Sequence, residues 1–87
     1  MTIAVYPATF DPIHYGHIDI AKRAASLFDR VITAAFSRPN KNVLFPIEER
    51  LELIRRSFAD VPNIEVAAYD TLTVDFARIH GARVIIR

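Results

Sequence analysis

Apolar positions along this chain alternate between short continuous runs and longer stretches where they recur every three or four residues. The runs near residues 2–6, 31–36, 64–67 and 83–86 read as strands, each continuous enough to be buried on both faces of a parallel sheet. Pro7 closes the first. Between the runs the spacing turns helical. Over residues 16–28, Ile20, Ala21, Ala24 and Phe28 form one apolar stripe. A second helix opens at Pro46, a residue favoured in a first helical turn, and buries Ile47, Leu51, Ile54 and Phe58. Glu48 and Glu49 sit at its positive end and Arg55 and Arg56 in its closing turns. A shorter third helix carries Leu72, Phe76 and Ile79 on one side and stops at Gly81, a natural C-terminal cap.

The order β-α-β-α-β-α-β makes the fold class α/β, because crossovers of this length join parallel strands in the right-handed sense. A Rossmann-like half-sheet is expected, in which ligands sit beyond the carboxyl ends of the strands. The strand-to-helix loops at residues 7–15, 37–45 and 68–73, with whatever follows Arg87, are then the functional ones. The run Val84-Ile85-Ile86-Arg87 ends with no helix to cover it. That is the pattern of a domain truncated after Arg87, and residues 1–87 read as the N-terminal half of a single domain.

Charge and composition narrow the picture. Eleven basic and ten acidic side chains leave a net charge of +1, which provides no electrostatic footprint for nucleic acid or for an anionic membrane. Without cysteine there are no disulfides, thiolate chemistry or Cys-ligated metals, and a cytoplasmic location is expected. The first apolar run is far shorter than the ~20 residues of a membrane span.

Candidate chemistry concentrates in the first loop, Thr9-Phe10-Asp11-Pro12-Ile13-His14-Tyr15-Gly16-His17. Two histidines, a hydroxyl and a glycine lie between a buried strand and a helix start, where a phosphate would bind. Gly16 leaves room for backbone approach, and the first N–H groups of the helix carry partial positive charge.

Tyr6-Pro7, then Thr9-Phe10-Asp11-Pro12 and Gly16-His17-Ile18-Asp19, resemble the nucleotidylyltransferases of the HxGH/TxGH type, and among them the phosphopantetheine adenylyltransferase family most. Phe28-Asp29, Pro39, Lys41, Glu48-Glu49-Arg50, Asp75-Phe76 and Ile86-Arg87 extend the resemblance along the whole chain, over about the first half of that family's domain. It implies joining of ATP and 4′-phosphopantetheine to give dephospho-coenzyme A and pyrophosphate. Magnesium, held mainly by the ATP phosphates, is the implied cofactor, with no protein metal ligand. The complete protein is then expected as a homo-oligomer, a hexamer in the family. In-line attack on the α-phosphorus would need alignment of two anions and donors aimed at growing charge.

His17 is the implied transition-state stabiliser and an ATP contact. The dipole at a helix start disfavours an imidazolium there and so favours a neutral donor. The competing reading is a core histidine heading the first apolar stripe. Thr9 would meet substrate phosphate and nucleotide, or else only bond its own turn. Phe10 would contribute backbone to the nucleotide site while its ring packs in the core. Asp11 and Pro12 are expected to shape the turn rather than hold magnesium. Lys41 and Arg87 would grip the pantetheine phosphate, with solvated surface charges as the alternative.

Three positions depart from the pattern. His14 stands where the phosphopantetheine branch usually has Thr, and could be a second phosphate donor as in cytidylyl- and nicotinamide-mononucleotide-transferring relatives. Ala8 replaces a usual Gly. Thr71-Leu72-Thr73 stands where Gly-Leu-Leu is usual, and Thr73 reads equally as a pantetheine contact or a helix N-cap. The alternatives are another HxGH nucleotidylyltransferase, of the cytidylyl or nicotinamide-mononucleotide type, and, from other classes, a non-catalytic nucleotide-binding half-domain or, more weakly, a piece of a tRNA synthetase.

Overall fold

The computed structural model describes residues 1–39 and 42–87. Its elements run β1 (Ile3–Ala8), α1 (Tyr15–Leu27), β2 (Arg30–Phe36), α2 (Ile47–Ser57), β3 (Ile64–Tyr69), α3 (Thr73–Ile79) and β4 (Val84–Ile85). The strands form one parallel sheet in the order β3-β2-β1-β4. The expected α/β class and element order are those observed.

Alternating strand residues build two cores. Tyr6, Val31 and Ala35 pack with Ala21 and Ala24 of α1 and Ile54 and Phe58 at the end of α2. Ile3, Val5, Ile32 and Ala34 face the other way, onto Phe76 and Ala77 of α3. Thus α1 and α2 cover one face and α3 the other. The chain winds outward from β1 to β3, then returns through α3 to place β4 on β1's free side. Strand order reverses between β1 and β4, and in open α/β sheets such a switch point leaves a crevice at the carboxyl ends.

Several boundaries differ from the sequence expectation. Pro7 does not close β1 but pairs with Ala34, inside the strand. Ile3 and Val5 carbonyls accept from Arg83 and Ile86, so odd-numbered β1 residues turn their polar groups toward β4. Pro7 faces that side too, beyond the last residue of β4, so its missing N–H removes nothing from the β1–β2 ladder. β3 continues through Ala68 to Tyr69, leaving only a short connection before α3. It is an edge strand, so Glu65 and Ala68 are exposed rather than buried on both faces.

Helix α2 presents the expected stripe, with Ile54 fully buried, but Pro46 stands at its N-cap, one residue before the first turn. The other two stripes are rotated from expectation. On α1, Ile20 is 39% exposed while His17, Ala21, Ala24 and Phe28 follow the sheet. On α3, Leu72 and Ile79 are 72% and 77% exposed, and Phe76 with Ala77 forms the inward side. Small residues win those faces because alanine lets a helix lie close on a sheet. Gly81, at φ 71°, ends α3 as expected: its N–H donates to Arg78 and that of Ala82 to Ala77, a Schellman closure.

One inward position carries charge. Arg50 is 1% exposed and, among the described residues, has no acidic partner. Its guanidinium donates through Nε to the Phe45 carbonyl at 3.0 Å and through Nη1 to those of Thr9 at 2.8 Å and Phe36 at 2.9 Å. A buried cation is tolerable only when its donors are met. Here they tie the carboxyl tips of β1 and β2 to the segment entering α2.

The rotated stripe is testable by urea unfolding. Ile54→Ala should cost about 2–5 kcal/mol, as for a fully buried aliphatic side chain. Ile20→Ala should cost under about 1 kcal/mol, as for a surface change; equal losses would restore Ile20 to the core.

Candidate functional site

Two open depressions flank the tip of β1. One, of about 430 Å³, is lined by Thr9, Phe10, His14 and His17 together with Asn42 and Leu44 of the second loop. The other, of about 460 Å³, lies over the β1–β4 switch point and is lined by Pro7, Thr73, Ile86 and Arg87 among others. Pro7 and Ala8, consecutive in the chain, face different depressions. The candidate residues therefore divide into two groups at one sheet edge. Lys41 lies outside the described residues.

The first group is organised by Phe10 and the helix start. Phe10 has φ 53°, a left-handed conformation that costs an aromatic residue energy. It is held there because the ring is buried, with edge contacts to Tyr6 and His17, while Arg50 binds the carbonyl before it. The Asp11–Pro12 peptide bond that follows is cis. His14 is the N-cap of α1, in place of the usual Ser, Thr or Asp. Its Nδ1 accepts from the Gly16 N–H at 3.0 Å, and its own N–H donates to His17 Nδ1 at 3.2 Å. Each imidazole thus uses Nδ1 as an acceptor. The hydrogen-bond network assigns both neutral rings the tautomer with hydrogen on Nε2, the atom left to donate.

The rings stack with centroids 3.7 Å apart. Burial against Phe10 and Tyr6 pushes the His17 pKa below its ordinary value, and the His14 ring, which repels a second charge, adds to the effect. The reason differs from the helix dipole invoked from sequence. Gly16 also has a different role from the one expected. A Cβ there would lie 2.9 Å from His14 Cε1, so glycine makes room for the capping imidazole, which occupies an N–H expected to be free for an anion.

Asp11 does more than shape its own turn. Its Oδ2 accepts from the Leu44 N–H at 2.6 Å and its Oδ1 from the Phe45 N–H at 2.9 Å, across to the second loop. In the second depression, Thr73 is not the N-cap. Leu72 holds that position without a side-chain bond, and the Thr73 hydroxyl, one residue inside α3, pairs with the Tyr69 hydroxyl at 2.9 Å. Arg87 is exposed at the rim.

Sequence reasoning passed over Arg50 and the reach of Asp11. A signal for Arg50 existed: it falls three residues after Ile47 and four before Ile54, on the inward stripe, where a solvated arginine does not belong. Nothing local points Asp11 at Leu44.

The lowered His17 pKa has a signed consequence. Folding favours the neutral ring, so its contribution is present above the unfolded value of about 6.5 and is lost as pH falls through the lower folded value. In an NMR titration His17 should protonate below 6.5 and show hydrogen on Nε2 when neutral. His17→Gln should flatten the fall in stability on the acid side of that pH.

The profile of the Cytidylyltransferase-like family matches residues 5–87. The chain is also similar to phosphopantetheine adenylyltransferases: it is 56% identical to that of a Roseiflexus species and 55% identical to that of Chloroflexus aggregans, across all 87 residues. With that of Aquifex aeolicus the identity is 49% over 83 residues, 95% of this chain. The chain spans about half the length of these relatives, 54%, 54% and 52%. Among solved structures, the NadR protein in complex with NAD and AMP-PNP matches with a TM-score of 0.73 at 25% identity, over 95% of this chain and 28% of that one. With a parallel α/β sheet and a family match over residues 5–87, nearly its full length, this chain belongs to the cytidylyltransferase-like family.

Proposed function

We propose that this chain forms the nucleotide-phosphate half of an adenylyltransferase that joins ATP and 4′-phosphopantetheine, giving dephospho-coenzyme A and pyrophosphate. The observation that carries the reading is the stacked His14–His17 pair beside Thr9, both Nδ1 atoms engaged within the loop and both Nε2 left to donate. Identity above 50% to proteins named for this activity supports the substrate assignment. The AMP-PNP held by the similarly folded NadR protein supports an ATP-like ligand.

In this reading the chain aligns two anions and supplies neutral donors. His17 donates to the α-phosphate as charge grows on it, its neutral ring set by burial. His14 donates beside it. Thr9 contacts phosphate at the strand tip, and the Phe10 backbone borders the nucleotide. Arg87 grips the pantetheine phosphate, joined by Lys41, while Thr73 borders the pantetheine arm. The attacking phosphate oxygen forms the new bond to the α-phosphorus as the bond to pyrophosphate breaks.

Magnesium would reach this site on the nucleotide. The described residues form no cluster of three or more His, Asp or Glu suited to a metal, and the nearest carboxylate, Asp11, is engaged by two main-chain N–H groups. The residues do not build a metal site of their own, so no step is assigned to the ion. No helix among the described residues is long and apolar enough to cross a membrane.

Pyrophosphate release by the complete protein with ATP, magnesium and 4′-phosphopantetheine is the direct test. Turnover with glycerol phosphate or nicotinamide mononucleotide instead would reassign the substrate. His17→Ala should lower kcat by roughly 10²-fold or more, as for loss of a transition-state donor. A comparable loss in ground-state ATP affinity would reduce His17 to a binding or packing residue. Arg87→Ala should mainly raise KM for 4′-phosphopantetheine; a larger effect on ATP would place that arginine in the other depression.

A further inference from the structure

Asn42 and Leu44 share the lining of the first depression with His14 and His17, yet residues 42–46 belong to no helix or strand. Among the described residues no main-chain bond from another element reaches Leu44 or Phe45. Their tether is made by two side chains of opposite charge. Asp11 takes the N–H groups of Leu44 and Phe45, one on each carboxylate oxygen. Arg50 takes the Phe45 carbonyl through Nε and, through Nη1, the Thr9 carbonyl, two residues before Asp11. Phe45 is gripped at its N–H by an anion of the first loop and at its carbonyl by a cation of α2, and that cation also holds the first loop.

We propose that Asp11 is a positioning residue, which fixes residues 42–46 as a wall of the nucleotide-phosphate depression, with Arg50 as the anchor that sets where Asp11 stands. The inference rests on the nucleotide reading of that depression. Two other roles are open to an aspartate near phosphates, metal ligand and general base, and each would use a lone pair that a carboxylate oxygen keeps after accepting one N–H. The magnesium requirement and the split between KM and kcat separate both from positioning. Charge-assisted bonds to main-chain N–H groups are among the stronger ones in proteins, so the carboxylate is better held here than as a lone loop acid.

Asp11→Asn in the intact protein is the informative change: it keeps the shape but replaces one acceptor oxygen by an NH₂ that meets an N–H head-on. Hydrogen exchange without nucleotide reads the tether itself. Exchange at Leu44 and Phe45 should rise about tenfold or more while amides of β1 and β2 hold, since only a local opening is affected. With substrates, KM for ATP should rise about tenfold, a larger change than in kcat at saturating ATP, the pattern of a lost binding wall rather than lost chemistry. The magnesium concentration giving half-maximal rate at saturating ATP should stay where it was.

Unchanged exchange at both amides would overturn the proposal. So would a shifted magnesium requirement, which would make Asp11 a metal ligand, or a loss confined to kcat, which would place it in the chemistry. If the unaltered protein turned over neither ATP nor 4′-phosphopantetheine, the functional reading would fail, while the exchange result would still decide the tether.

Discussion

A guanidinium surrounded by carbonyls holds the functional edge of this molecule together. Arg50 lies inside the fold with no carboxylate on it among the described residues, and its bonds run to Thr9 just beyond β1, to Phe36 at the end of β2, and to Phe45 before α2. Parallel strands leave their terminal carbonyls without partners where the chain turns away, and an unpaired buried carbonyl costs about 1–3 kcal/mol. One fork-shaped cation meets two of them, at Thr9 and Phe36, together with the Phe45 carbonyl ahead of α2. Lysine could not do so, because its single ammonium lacks the planar spread of donors.

Much of the site follows from that anchoring. With Thr9 held, Phe10 takes its left-handed turn and drops its ring beneath His17. The ring excludes water from one side of the imidazole, which favours the neutral form. Asp11 is then carried to the second loop, and His14 caps the helix that begins beyond. A histidine cap is unusual, yet it couples two functions: one ring nitrogen closes the helix end, and the other remains a donor toward whatever occupies the depression. Gly16 is needed because any side chain there would strike that ring.

The sheet supplies the other constraint. Reversal of strand order between β1 and β4 opens the crevice in which Thr73 and Arg87 stand, next to but separate from the histidine pair. In the proposed function, each of the two depressions on either side of the strand tip takes one of the two phosphate-bearing reactants. Pro7 sits at the divide, in a strand rather than after it, and its absent N–H falls on the side where β4 has already ended.

Local pattern determined the element types, their order, the α2 stripe and the Gly81 cap, because these depend on periodicity and on residues within one turn of each other. The ordered motif was enough to point to the family before any coordinate. Packing decided the rest. Ile20, Leu72 and Ile79 satisfy a helical period but lose the inward faces to alanines and Phe76, since hydrophobic spacing does not fix how a helix rolls on its sheet. The bonds from Asp11 to Leu44 and from Arg50 to Thr9 span 33 and 41 residues, and the histidine tautomers depend on which amide each ring nitrogen meets. Such contacts belong to the tertiary structure alone, because a sequence records which donors and acceptors exist but not which ones the fold brings within reach.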